Sequence, residues 1–360
     1  MIRIITAVSI VALMGACSGE QPFEFTDTGA ADDATTDESA TNDDTTGTTT
    51  DEAAEDTSAL DVGTELPPGT DEPSADGDIF RYEARDGAGG GLVTSVTYNA
   101  SADTFNVDNI GFDGANVYTR DNQVGSLNGF ALYEGAATSV DSLTGDTIPQ
   151  ITPYRALVGV SDNIEGGERR TSFAIVRTGA YNGYGFGGFV YERNGGVTLP
   201  ISGQARFQGD YAGIRVFNGL GGMELTRGDM TVDIDFRDFN ANDAVKGTIA
   251  NREAFALSGL EIPLGGVGEL ALPDINFVIQ EGAPSLSDNG EISGTLNNVI
   301  FDPDTGSFVE YESGTYYGII AGDMTTGEGG ELVGVIVIES DDPRYEEVTA
   351  QETGGFILYR

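Results

Sequence analysis

The chain has 360 residues, with 59 Asp plus Glu against 17 Lys plus Arg and a formal net charge of −42. That excess repels nucleic acid and anionic headgroups, so no nucleic-acid partner is expected. His and Trp are absent and Cys occurs once, which excludes a Ser-His-Asp triad, a Cys-His pair, a His-type zinc site and any intramolecular disulfide.

Met1-Ile2-Arg3 is a short positive start, and Ile4 to Met14 is an apolar run too short to span a bilayer. Met14-Gly15-Ala16-Cys17 follows, two small residues before the lone cysteine, an order that resembles a bacterial lipobox. Residues 1–16 are therefore expected to be a lipoprotein signal peptide, with Cys17 as the lipidated residue. An ordinary secretory peptide with an A-x-A-like cleavage site is the alternative. Ser18, rather than Asp, after the cysteine points to the outer membrane and leaves its periplasmic and exterior faces both open.

Residues 18–78 contain Thr and carboxylates but no Lys or Arg, and Phe23 and Phe25 are their only aromatics. So little apolar surface does not offset chain entropy, and the composition predicts a disordered acidic tether over 17–78. As a flexible coil it spans about 45 Å root-mean-square.

From Ile79 onward short apolar-aromatic runs are cut by Gly, Asn and Asp. Leu92–Tyr98, the turn Ala100-Ser101-Ala102-Asp103 and Thr104–Val107 predict a hairpin. Further strands are predicted at Phe130–Tyr133, Tyr154–Val160, Ser172–Arg177, Gly188–Glu192, Ser202–Phe207, Gly213–Phe217, Met230–Phe236, Val245–Ala250, Ile275–Gln280, Glu291–Leu296, Gly314–Ile320, Leu332–Glu339 and Gly355–Tyr359. No window of twelve residues has a 3.6-residue apolar period, and Asn251–Leu257 is the one short helix expected. The fold class is all-β: a β-meander over 79–180, then an antiparallel barrel of about eight strands over 181–360.

Gly203, Ala205, Phe207, Gly209, Tyr211 and Gly213 alternate at period two, placing them on one strand face. Small residues on a barrel's inner wall leave room for bulky ones opposite. Gly228 to Phe236, Val245-x-Gly247-x-Ile249, Gly314-x-Tyr316-Tyr317-Gly318 and the terminal Gly355-Phe356-x-x-Tyr359-Arg360 continue the pattern. On these segments, over about residues 185–360, the chain resembles the transferrin-binding protein B family of bacterial surface lipoproteins, in its C-terminal β-barrel domain. Ile319 and Ile320 after Gly318 depart from that family's usual Gly-Pro continuation. The resemblance implies a barrel that captures a protein or an iron carrier at its loops.

Gly183-x-Gly185-x-x-Gly188 matches a dinucleotide fingerprint in letters, but the strand expected after it is the wrong element. Asp235, Asp238, Asn240, Asn242 and Asp243 crowd one turn and Asp302-Pro303-Asp304-Thr305-Gly306 another, without full calcium-loop spacing. Ordinary hairpin turns are the favoured reading of both, with calcium binding left as the alternative. Tyr181, Tyr184 and Phe186 form the candidate ligand-binding patch, against the plainer reading of core packing. The expected protein is a monomeric, lipid-anchored, non-enzymatic binding protein with no cofactor and no resident metal. A structural envelope lipoprotein without a ligand, and a hydrolase working without His or Cys, are the rival readings.

Overall fold

Burial alternates with a two-residue period where a strand has one solvent face, as over Gln204–Asp210, and is continuous where both faces are covered. A computed structural model describes residues 66–360, apart from 88, 109, 111–116, 142, 151, 182, 237–244, 264–271, 278–286, 303–304 and 327–328. The first sheet is built from β1 (Ile79–Tyr82), β2 (Val96–Asn99), β3 (Thr104–Val107), β4 (Val117–Arg120), β5 (Ser126–Leu127) and β6 (Phe130–Gly135). Two short strands, β7 (Thr138–Val140) and β8 (Thr147–Pro149), pair with each other and, among the described residues, with no other strand. Then come β9 (Tyr154–Val160), the small hairpin β10 (Ile164–Glu165) and β11 (Glu168–Arg169), β12 (Thr171–Thr178) and β13 (Gly187–Arg193). The sheet order is β1-β13-β12-β9-β6-β4-β3-β2, with β5 on β6. Because β13 belongs here, the chain leaves this sheet only after Arg193, not near residue 180.

The second sheet starts with β14 (Val197–Thr198), a short parallel addition to β20. Then β15 (Gln204–Asn218), β16 (Met223–Asp235), β17 (Val245–Ala256), β18 (Ile275–Phe277), β19 (Glu291–Asp302), β20 (Ser307–Asp323), β21 (Glu331–Asp341) and β22 (Thr349–Tyr359) follow. Each pairs antiparallel with its neighbour in sequence, and β22 returns to β15. This is a closed eight-stranded up-and-down barrel, which removes the open edges of a sheet. The first sheet is a curled half-barrel.

Several sequence expectations are corrected. Asn251–Leu257 is not a helix, since β17 runs through Ala256. Asn251 has φ of 54° beside a register shift opposite Arg227 and Asp229, and two-residue alternation resumes after this bulge. The segments around Gly209 and Gly213 form one unbroken strand, β15. Residues 66–78 are not free tether. Thr70 N donates to Phe80 O at 3.0 Å, Tyr82 N to Pro68 O at 3.0 Å and Val197 N to Ala75 O at 2.7 Å. The Ala100–Asp103 turn forms as expected, with Asn99 paired to Thr104.

The burial of β15 shows how the halves meet. It alternates from Gln204 to Asp210, and then every residue from Tyr211 to Phe217 is buried. Tyr211 and Gly213 continue the lumen face, whereas Ala212, Ile214 and Val216 pack outward with Phe173, Ile175, Phe189 and Tyr191 of the first sheet. β12 and β13 are wholly buried because the barrel covers one face and their own curling sheet the other. Each large apolar side chain so buried contributes about 1.5–3 kcal/mol. At the centre of the seam Gly354 and Gly355 face opposite ways. A Cβ on Gly354 would strike the Tyr211 ring from the lumen, and one on Gly355 the Phe173 ring from the first sheet.

Candidate functional site

The barrel interior is filled by side chains. Phe207, Tyr211, Met230, Val232, Ile249, Phe277, Tyr316, Phe356 and Leu358 form its apolar core, with Phe277 and Tyr316 stacked at 4.7 Å. The inward positions at the other end are polar. Arg252 on β17 reaches carboxylates on β20 and β22, neither of them adjacent to β17, so its side chain spans the lumen. Its Nη1 donates to Glu312 Oε2 at 2.6 Å and to Pro273 O at 2.8 Å. Its Nη2 donates to Glu312 Oε1 at 3.1 Å and Glu352 Oε2 at 3.0 Å. Tyr211 Oη donates to Glu352 Oε1 at 2.6 Å, and Asn298 Nδ2 to Glu312 Oε2 at 2.6 Å. Burial works to raise the Glu352 carboxyl, but Arg252 and then Arg215 overcome it and hold it below the ordinary range. This network braces the lumen across non-adjacent strands, with Arg252 Nε left without a hydrogen-bond partner among the described residues.

The seam is clamped by charge as well. Arg81 pairs with Glu291 at 2.6 and 3.0 Å. Arg177 pairs with Glu83 and donates to Thr353 Oγ1 at 2.8 Å. Buried Glu331 of β21 accepts from Ser161 Oγ at 2.8 Å and Thr171 Oγ1 at 2.7 Å. Arg193, fully buried, donates to five backbone carbonyls: Gly195, Asn289, Ile320, Ser74 and Gly77. That pattern joins residues 66–78 to both sheets. Glu192, 5% exposed, has Ser172 Oγ at 2.5 Å, and burial pushes its carboxyl up to about 8 against that hydrogen bond.

The expected patch lies between β12 and β13. Tyr181 and Phe186 meet edge to face with centroids 4.8 Å apart. Tyr184 turns away from them, packs with the seam core and places its Oη 2.7 Å from Thr349 Oγ1. Gly185 has φ of +75° and Gly188 sits in β13, so the glycine fingerprint opens onto a strand and not a helix. Cys17 lies outside the described residues, as do Asp238, Asn240, Asn242, Asp243, Pro303 and Asp304.

Sequence reasoning missed a second polar-aromatic cluster at the β2–β3 turn. Asp103 accepts from Arg120 Nη2 at 3.0 Å, Tyr133 Oη at 2.9 Å and Tyr98 Oη at 3.1 Å. Arg120 lies 4.5 Å over the Tyr133 ring, and its hydrogen bond lowers the Asp103 carboxyl. Asp103 has φ of 49°, and only this turn brings residues 98, 103, 120 and 133 together. A polar cleft of about 390 Å³ at the seam is lined by Asp76, Glu165, Arg170, Thr198 and Asp323. Arg170 there is engaged by Gly329 O at 2.9 Å and Glu165 at 3.3 Å.

No known family model matches the chain, and no curated protein matches it. Solved structures do. A double mutant of the vaccine antigen transferrin binding protein B from Haemophilus parasuis Hp5 aligns at 10% identity and a TM-score of 0.32, over 72% of this chain and 41% of that one. A single mutant of the same antigen aligns at 12% identity and TM-score 0.29, over 62% and 41%. Intact Ap-TbpB, with N and C lobes, aligns at 13% identity and TM-score 0.31, over 71% and 42%. The chain thus spans about two-fifths of the length of the solved chains it is similar to.

Proposed function

We propose that this protein is a lipid-anchored envelope protein, held at the bacterial outer membrane through Cys17, that captures a protein or iron-carrying ligand at its loops. The observation that carries this reading is the filled lumen. With the interior occupied by the Phe207–Tyr316 core and the Arg252 brace, recognition falls to exposed loops. The Tyr181–Phe186 edge-to-face pair supplies aromatic anchors of the type that dominate binding surfaces. The acidic surface steers a basic carrier inward, with an on-rate that falls as salt rises.

The test is binding of candidate iron-carrier proteins at low and high salt by the parent and by Tyr181→Ala/Phe186→Ala. Loss of binding in the variant supports the patch, and unchanged binding removes it. No carrier retained by the parent transfers the reading to a structural lipoprotein. Cys17→Ser should release the protein from membranes after a high-salt wash, because dual acylation at Cys17 would supply the stable anchor that a single chain does not.

A further inference from the structure

Strands β19 and β20 outrun the barrel. β20 pairs with β21 only from Glu312 onward, and β18 meets β19 at Asn276 and Asn297 alone. Beyond those points Val299–Asp302 and Ser307–Glu310 pair only with each other among the described residues. A free two-stranded ribbon is marginal in water and has two unsatisfied edges. This one is also apolar. Val299 is 55% exposed, Phe301 57%, Phe308 71% and Val309 36%. Phe301 and Phe308 are directly opposite in the register and meet edge to face at 5.6 Å. Val299 lies two residues from Phe301 on the same face, opposite Glu310. The three apolar side chains thus share a face with a carboxylate.

Charge selects the occupant. No Lys or Arg occurs between Arg252 and Arg344 in the sequence, while Asp302 and Glu310 lie on the ribbon. A second copy would bring the same excess of carboxylates, and an anionic lipid surface would repel them. We propose that the ribbon is a docking arm for a basic polypeptide segment of another protein. The segment adds to a ribbon edge as a strand, sets alternate apolar side chains against Val299, Phe301 and Phe308, and places Lys or Arg against the carboxylates. This surface is separate from the Tyr181–Phe186 loop, and its test uses no carrier, so either reading survives failure of the other.

The absence of tryptophan makes the test direct. Phe308→Trp in the mature chain carrying Cys17→Ser introduces the only tryptophan, at the ribbon, excited selectively above the tyrosine absorption. The probes are a synthetic peptide alternating Phe or Val with Lys, its Glu counterpart, and phosphatidylcholine vesicles with and without phosphatidylglycerol. The expected result is a blue shift with the Lys peptide alone, weakened by salt, and weakened about tenfold by added Val299→Ser and Phe301→Ser. Unchanged far-UV circular dichroism shows that the barrel is intact in each variant. Affinity indifferent to the serine changes, a blue shift with vesicles, or a shift that follows protein concentration through self-association each overturns the proposal.

Discussion

Replacing Arg252 by Met removes the only cation that bonds directly to Glu312 and Glu352 among the described residues. Both carboxylates are about 2% exposed and lie inside the lumen, so water does not replace the lost partner. Truncating one member of a buried ion pair costs about 3–5 kcal/mol, because the remaining charge stays buried and uncompensated. At the size of this folded region that is a fall in thermal midpoint of roughly 10 °C. Urea unfolding followed by far-UV circular dichroism at pH 7 measures the deficit. Its pH dependence identifies the cause. In the parent, Arg252 and Arg215 hold the Glu352 carboxyl below its unfolded value. That contribution is present above the unfolded value and is lost as pH falls through the folded one. In Arg252→Met burial, the largest influence on Glu352, is no longer outweighed, so that carboxyl takes up a proton more readily when folded and the variant regains stability on acidification. The gap should therefore narrow between pH 7 and pH 4. A deficit below about 1 kcal/mol at pH 7, or a gap that widens toward pH 4, refutes the cross-brace.

Three further outcomes follow from buried groups. Glu192 has a folded carboxyl at about 8 against an unfolded 4.5, so parent stability falls as pH rises through that window. Glu192→Gln should remove that slope and gain about 2–4 kcal/mol at pH 8, read by urea titrations at pH 5 and pH 8. A chain starting at Leu66 should melt with the chain starting at Ser18. One starting at Ile79 should melt several degrees lower, because Arg193 loses Ser74 O and Gly77 O and Arg81 loses Pro67 O. Equal midpoints for all three chains would mean that residues 66–78 contribute nothing. Gly355→Ala should cost about 1–3 kcal/mol by driving a Cβ into the Phe173 ring, and a neutral calorimetric scan would show that the seam is looser than drawn.

The sequence by itself determined the all-β class and most of the strands, because strand burial follows a two-residue period that the order of apolar and polar residues displays directly. Alternating Ala205, Phe207 and Tyr211 announced a lumen face, and the chain-ordered strands from Gln204 to Tyr359 close as an up-and-down barrel. Period alone did not expose contacts between distant segments. Arg252 lies in a stretch read as helix, since a bulge at Asn251 breaks the alternation that would have marked a strand. Glu192 closed the expected strand Gly188–Glu192 and Arg193 lay just beyond it, yet the fold buries both. The Tyr181, Tyr184 and Phe186 cluster is contiguous in sequence, but the fold turns Tyr184 toward Thr349 and leaves Tyr181 with Phe186. The tertiary structure decided which charges are braces and which aromatics stay exposed, because burial depends on what a second sheet covers and local sequence does not encode the cover.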